Sequence, residues 1–172
     1  RRLDASYGDE WFASGNEPSF QIPWIYNWAG APYKAQQVIR RILNEQYSSR
    51  VNGLPGNDDL GSMGAWYVFA SIGLFPEIPG VGGFSVNSPV FRKIVLHLPE
   101  GDVIIKGGDE KKEYIHSLSL DGKKMEGTWI DWSDLYRGAT LEYKLSGKPD
   151  KTWGTRIAPP SYCLLYTSPS PR

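Results

Sequence analysis

Two adjacent aspartates in a glycine-bracketed turn are the side chains of this sequence best suited to chemistry. The stretch LPGNDDLG, residues 54–61, places Asn57, Asp58 and Asp59 directly ahead of a long apolar segment. Such residues can cap a helix and complement its dipole, which contributes about 0.3–1 kcal/mol each. Two neighbouring carboxylates exceed what a cap needs, and they repel each other unless a cation or a polar substrate stabilises them. The stretch lacks the spacing of an EF-hand loop. By itself it leaves helix capping and catalysis equally open.

A second polar segment, GNEP at residues 15–18, is also flanked by aromatic side chains. Asn16 and Glu17 can act as turn or helix-capping residues, or as polar ligands of a sugar or a metal. No argument from the sequence places Glu17 within reach of Asp58 or Asp59.

The other reactive residue types form no recognisable site. His97 and His116 each lie in a predicted strand, where a lone histidine is usually a surface or hydrogen-bonded residue, so neither is assigned to metal binding or catalysis. There is no G-x-S-x-G nucleophile elbow. Cys163 is the sole cysteine, so the chain forms no internal disulfide.

Three segments of the first half predict helices. Apolar residues at three-to-four spacing indicate an amphipathic helix over Tyr33–Tyr47, with Pro32 suited to its first turn. A second helix is expected from Ser62, as N-cap, to Gly73, and it is apolar nearly all round, which favours burial inside a larger assembly. FQIPWIYNWAG predicts another mostly buried helix, with Pro23 near its start. Three helices of this kind cannot form a complete hydrophobic core on their own.

After Pro79 apolar residues recur at every second position instead of every three to four positions. RKIVLHL, DVIIKG, YIHSLSL and ATLEYKL alternate as strands do, and Asp121-Gly122 predicts a hairpin turn. These strands indicate an antiparallel sheet that forms one layer of a sandwich.

Composition excludes some classes of function. Lys plus Arg and Asp plus Glu are 19 each, so the net charge is zero and no basic stripe is available for nucleic acid. No apolar run approaches the ~18 residues of a membrane span. Aromatic residues make up 13% of the chain, and Trp24, Trp28 and Trp66 could stack on a sugar. The four-residue spacing of the first two fits packing as well as a sugar platform, and core packing is the expected role.

Three long motifs give the chain a resemblance to a known family. GNEPSFQIPWIYNWAGAPYKAQ, GLPGNDDLGSMGAWYVFASIGLFPEIPG and YIHSLSLDGKKM, followed by TWGT, stand in an order similar to that of the C-terminal part of glycoside hydrolase family 92. The likeness covers about residues 15–155. Members of that family are calcium-dependent exo-α-mannosidases, mostly bacterial.

The resemblance implies an α+β fold, in which a partial (α/α)6 helical barrel segment is followed by an antiparallel β-sheet or sandwich region. It predicts the barrel segment in residues 1–79 and the strand region in residues 80–160. The missing N-terminal β-sandwich domain and the upstream barrel would be partners of this chain. The Ser- and Pro-rich residues 161–172 are expected to be a non-native tail.

For the reaction, the resemblance implies inversion by a carboxylic acid and a carboxylate that activates water. By motif position Asp59 would be the general base, Asn57 a supporting residue in place of the family's frequent Asp, and Asp58 a helix cap. Nothing in this chain matches the family's general acid, a Glu in a Trp-containing motif, so the isolated chain is expected to be inactive.

The resemblance also assigns Asn16 and Glu17 to the sugar and to a calcium ion, whose preferred ligands are oxygens. SFQIPW stands where a His-containing run is common in the family, so Phe20 and Gln21 indicate a different subfamily or linkage preference. The expected substrate is a mannose-containing glycan, and the expected location is the periplasm, cell surface or exterior of a bacterium. The alternatives are a non-catalytic carbohydrate-binding module on the strand half, or another (α/α)6-barrel glycosidase or phosphorylase.

Overall fold

The computed structural model describes residues 13–161, and in this range helices come first and strands second. The helices are α1 (Ile25–Trp28), α2 (Pro32–Gln46) and α3 (Ser62–Ile72), with 3₁₀ turns at Glu17–Ser19, Ile22–Trp24 and Trp132–Asp134. The strands are β1 (Leu74–Phe75), β2 (Gly83–Val86), β3 (Lys93–Leu98), β4 (Gly101–Lys106), β5 (Tyr114–Leu120), β6 (Lys123–Lys124), β7 (Trp129–Asp131) and β8 (Ala139–Ser146). Within this range no helix combines the length and the apolar character that crossing a bilayer requires.

The helices follow the sequence pattern, with two differences at their ends. Pro32 is the first residue of α2, and Gly73 ends α3 in a left-handed conformation (φ +87°), both as predicted. The prediction that Ser62 is the N-cap of α3 is wrong, because Gly61 takes that position and Ser62 is the first helical residue. The third predicted helix is short, since only Ile22–Trp28 is helical, and Ile25 is 53% exposed.

The strands form two sheets. β1, β2 and β7 make a three-stranded antiparallel sheet, and the other five strands are arranged in the order β3-β4-β8-β5-β6. Asp121 and Gly122 form the predicted turn between β5 and β6, both with positive φ (48° and 77°). β1 and β2 pair across residues 79 and 80, where the sequence analysis placed its boundary between regions.

The five-stranded sheet is mixed, so the prediction that it is wholly antiparallel is wrong. β8 pairs with β4 in parallel and with β5 antiparallel. The reason is topological: β4 and β5 run in opposite directions, and a strand inserted between them must be parallel to one of the two.

Two apolar clusters make up the core. One joins both sheets, with Val86 and Ile130 of the smaller sheet and Ile105 and Leu141 of the larger sheet among its buried members. The other packs α2 and α3 around Trp24, whose ring stacks on Phe75 with centroids 4.0 Å apart. The wholly buried Trp24 and the 4% exposed Trp66 therefore serve packing, the role that their sequence context favoured.

Buried polar side chains connect the helices to the sheets. Arg40 of α2, only 2% exposed, donates to the carbonyls of Pro89 (2.8 Å), Asp109 (2.7 Å) and Lys112 (3.4 Å). Burial lowers the pKa of Arg40 to about 10, so the guanidinium stays charged at neutral pH. Gln36, one turn earlier, accepts the backbone N–H of Ile115 at 2.9 Å. These bonds fix how α2 sits on the sheets.

The organisation drawn from the family resemblance stays a prediction. Three helices show a mixed α+β architecture but not a closed (α/α)6 barrel. The division into residues 1–79 and 80–160 likewise stays a prediction. The predicted non-native tail, residues 161–172, lies outside the described residues except for Ser161.

Candidate active site

Two glycines bring the two polar segments into backbone contact. A Cβ on Gly15 would lie 2.4 Å from the carbonyl oxygen of Pro55, and a Cβ on Gly56 would lie 2.4 Å from the carbonyl oxygen of Gly15. No real Cβ contact is this short, so the approach requires glycine on both sides. The segment that carries Asn16 and Glu17 is therefore held against the NDD loop.

A hydrogen bond to α3 holds the same segment farther along the chain. The indole Nε1 of Trp66 donates to the carbonyl of Phe20 at 3.2 Å. Glu17 lies between this bond and the Gly15 contact, in a 3₁₀ turn that begins after the extended Asn16. The side chain of Glu17 is thus positioned by fixed backbone on both sides, although it is itself exposed.

The backbone of the NDD loop is left-handed at three successive residues. Asp59, Leu60 and Gly61 have φ values of +47°, +60° and +93°. This conformation is uncommon for residues other than glycine, and residues that adopt it are often found at functional sites. It turns the chain sharply between the loop and the first residue of α3.

Gly61 holds the N-cap position of α3, and Asp58, three residues earlier, supplies acceptors to the first turn of this helix. Oδ1 of Asp58 accepts the backbone N–H of Gly64 at 3.3 Å, and its carbonyl accepts the hydroxyl of Ser62 (3.0 Å) and the N–H of Met63 (3.2 Å). These bonds satisfy donors that the first turn of a helix leaves without partners. The helix terminus therefore uses the side chain of Asp58 but only the backbone carbonyl of Asp59, which accepts the N–H of Ser62 at 3.3 Å.

Asp59 lies beside Glu17, an approach that the sequence could not predict. Partial desolvation raises the pKa of the Asp59 carboxyl, and the neighbouring carboxyl of Glu17 raises it further through its charge and through a hydrogen bond. The charge of Asp58 adds a smaller effect in the same direction. A carboxylate with a raised pKa is a stronger base once it is ionised.

The other predicted site residues lie in the same two segments. Asn16 directly precedes Glu17, and Asn57 lies two residues before Asp59 in the facing loop; both are exposed. The structure thus gathers all four predicted site residues in two touching segments.

A cavity of about 330 Å³ opens next to this loop, and sequence reasoning missed its residues. Its walls include Tyr47, Leu54, Gly64 and Tyr67. Tyr47 stacks on Trp66 with centroids 5.7 Å apart, and its hydroxyl donates to the carbonyl of Met63 at 3.2 Å. Burial, and to a smaller extent the charge of Asp58, raises the pKa of Tyr47. No local pattern distinguishes these tyrosines from core residues, so the sequence carried no signal for them.

The two oxygen-rich segments, GNEP at residues 15–18 and the NDD loop, can supply some but not all of the ligands that a hard cation requires. Within residues 13–161 no three His, Cys, Asp or Glu side chains lie close enough together to hold a metal ion. The closeness of Glu17 and Asp59 nevertheless concentrates negative charge that a divalent cation would stabilise. Asn16 and Glu17 therefore fit calcium as contributors, with further oxygens required from elsewhere.

The two histidines lie on the surface, as expected. His97 is 80% exposed beside Asp102 (2.8 Å), and His116 is 68% exposed beside Asp150 (3.3 Å).

Comparison with known proteins identifies the same family that the sequence motifs resemble. The model of the glycosyl hydrolase family 92 catalytic domain matches residues 2–147. The chain therefore belongs to glycosyl hydrolase family 92.

Individual relatives agree in sequence and in fold. A protein of Arthroderma benhamiae described as an uncharacterized secreted glycosidase is 34% identical over 168 residues, which cover 93% of this chain and 22% of the relative. A family 92 α-mannosidase of Bacteroides thetaiotaomicron, solved in complex with mannoimidazole, is 31% identical with a TM-score of 0.82, over 86% of this chain and 20% of that one. A family 92 inverting mannosidase of the same bacterium is 30% identical with a TM-score of 0.83, over 88% and 21%.

The chain spans about a fifth of the length of each of these relatives. The solved relatives come from a bacterium and the curated one from a fungus, so the predicted bacterial source stays a prediction.

Proposed function

We propose that this chain contributes the water-activating base to an inverting exo-α-mannosidase that removes terminal α-mannose from glycans. The observation that carries the proposal is the placement of Asp59: exposed, on a left-handed turn, beside Glu17, with a raised pKa. Relatives that are named as α-mannosidases, one of them as inverting, support the substrate and the stereochemistry.

In this mechanism the Asp59 carboxylate accepts a proton from a water molecule as that water attacks the anomeric carbon. Asn57 helps to orient the water or Asp59 by hydrogen bonding. Glu17 is unsuited to be the acid partner, because an inverting pair needs about 6.5–9.5 Å between its carboxyls to admit the water, and Glu17 lies too close to Asp59. The acid that protonates the leaving oxygen therefore belongs to another part of the protein.

Asn16 and Glu17 are proposed to bind the sugar and to supply oxygens to a calcium ion. When bound, the cation would engage sugar hydroxyls and favour a distorted ring that is closer to the transition state. The Gly15 contact and the Trp66 hydrogen bond hold the segment that carries these two residues from both sides. The protein is proposed to act outside the cytoplasm, like the relative described as secreted.

The role of Asp59 is tested with Asp59→Asn in the full-length protein that the gene encodes. Loss of a general base is expected to lower kcat by about 10²–10⁴-fold, measured as mannose released from an aryl α-mannoside. Asp134→Asn, which changes an exposed aspartate of a 3₁₀ turn, is the matched control and should leave kcat unchanged. Near-normal turnover by Asp59→Asn would refute the assignment of the base.

Stereochemistry is tested on the same preparations. Proton NMR of a fresh digest should show β-mannose before mutarotation mixes the anomers. Appearance of α-mannose first would show retention and rule out direct attack by a water bound to Asp59.

A further inference from the structure

A second cavity, of about 290 Å³, lies on the strand half of the chain, away from the NDD loop. It is formed by β5, by β6 with the two residues after it, and by the segment from residue 150 to residue 156. The side chains that define its chemistry are His116, Lys124, Glu126, Asp150, Trp153 and Arg156. None of them belongs to the candidate active site.

The wall formed by residues 150–156 is rigid. Oδ1 of Asp150 accepts three hydrogen bonds, from the hydroxyl of Thr152 (2.7 Å), from its N–H (2.9 Å) and from the N–H of Trp153 (3.1 Å). The Trp153 side chain is 6% exposed and belongs to the core of the sheets, and Gly127 pairs with Ile157 as a parallel bridge. A pre-formed wall favours binding because little conformational entropy is lost when a ligand arrives.

The charges of this cavity are paired with one another. Asp150 Oδ2 lies 3.3 Å from His116 Nδ1. Glu126 Oε1 lies 3.1 Å from Arg156 Nη1 and 3.6 Å from Lys124 Nζ. With His116 neutral, the two cations Lys124 and Arg156 balance the two carboxylates Glu126 and Asp150, which leaves little net attraction for an ionic ligand. Carboxylate oxygens and cationic N–H groups still have hydrogen-bonding capacity to spare.

We propose that this cavity binds a neutral sugar unit of a glycan, as a site separate from the one that performs hydrolysis. A pyranose carries several hydroxyls that both donate and accept, which matches a wall with carboxylates and cationic donors side by side. The apolar parts of Met125 and Trp153 suit the C–H groups of a sugar ring. The volume of about 290 Å³ lies just below the roughly 300–1,000 Å³ of small-molecule pockets, so the cavity accommodates no more than about one sugar unit. The site goes beyond the proposed hydrolysis and does not depend on Asp59.

The two histidines of the sequence provide the experiment, because His116 lies in the cavity and His97 does not. The chain is titrated with methyl α-mannopyranoside at constant pH, and the imidazole resonances are followed by NMR. The resonances of His116 should shift and saturate at millimolar sugar, while those of His97 stay in place. The same shifts in Asp59→Asn would separate this site from the active site. Absence of a saturable shift at His116, or equal shifts at both histidines, would overturn the proposal.

Glu126→Gln tests the paired charges directly. This change leaves Lys124 and Arg156 without their counter-charge, so affinity for the sugar should fall at least about fivefold, while affinity for inorganic phosphate should rise. Asp102→Asn, which alters the carboxylate beside the other histidine, is the matched control and should change neither affinity. Unchanged sugar affinity in Glu126→Gln, or tighter binding of phosphate than of sugar by the unaltered chain, would refute a site for neutral sugars.

Discussion

At the scale of single residues, Asp58 and Asp59 are neighbours in the chain but lie in different surroundings. Asp58 bonds back to the first turn of α3, where its oxygens accept donors of that turn. The left-handed backbone at Asp59 brings the second carboxyl beside Glu17 instead. Sequence reasoning from the residues alone left capping and catalysis equally open for this pair, because the difference arises from backbone angles and from a contact with a distant segment.

The pKa of Asp59 gives a test at this scale. The negative charge and the hydrogen bond of Glu17 raise that pKa, so Glu17→Gln should lower it. If Asp59 is the general base, it is active above its pKa and loses activity as pH falls through that value. In the full-length Glu17→Gln protein, the fall of kcat/KM on the acidic side of its pH profile, the acidic limb, should therefore occur at lower pH. Rates measured across a pH series give this profile.

Glu45→Gln is the control for this experiment, since Glu45 is exposed on α2 and pairs with Arg41 at 3.0 Å. Its acidic limb should match that of the unaltered protein. An acidic limb that stays in place in Glu17→Gln would contradict an interaction between Glu17 and Asp59.

At the scale of elements, the contact of Gly15 with the loop before α3 assembles the candidate site. Gly15→Ala would place a Cβ 2.4 Å from the carbonyl oxygen of Pro55, so the two segments must separate. We expect a loss of roughly 1–3 kcal/mol in the free energy of unfolding, by urea denaturation, together with a fall in kcat/KM.

Gly147→Ala is the matched control, because a Cβ at Gly147 meets no atom within 4 Å. It should leave both the free energy of unfolding and kcat/KM nearly unchanged. If Gly15→Ala behaves like Gly147→Ala, the glycine contact does not position the site.

The elements that the sequence predicted well are the ones with a long periodic pattern. α2, β3, β4, β5 and β8 were all predictable from periods of 3.6 or 2. β1, β2 and β7 have two to four residues each and alternate too briefly to be recognised. The site residues were predicted from motifs, whereas the approach of Glu17 to Asp59 and the tyrosine-lined cavity depend on tertiary packing that no local pattern records.

At the scale of the whole molecule, Arg40 joins the helical part to the sheets. Arg40→Ala would remove the guanidinium that donates to the carbonyls of Pro89 and Asp109, and would open a cavity beneath α2. The free energy of unfolding should fall by at least about 3 kcal/mol, measured by urea denaturation.

Arg41→Ala, one residue further, provides the comparison. Arg41 is exposed and forms only an i,i+4 pair with Glu45, so its loss should change stability by about 0.5 kcal/mol or less. Similar effects of the two substitutions would show that the buried guanidinium does not hold the two parts together.

The central position of β8 also affects how the chain is synthesised and folded. β3 with β4 and β5 with β6 can form hairpins early, but β8 enters between them and is synthesised after every other strand of residues 13–161. Until residue 146 has left the ribosome, the inner edges of β4 and β5 have unpaired backbone groups and apolar side chains that favour association with other chains. Nascent chains of this protein should therefore require a chaperone until that strand has emerged, and frameshifts or stop codons before residue 139 should give aggregates rather than a smaller folded product.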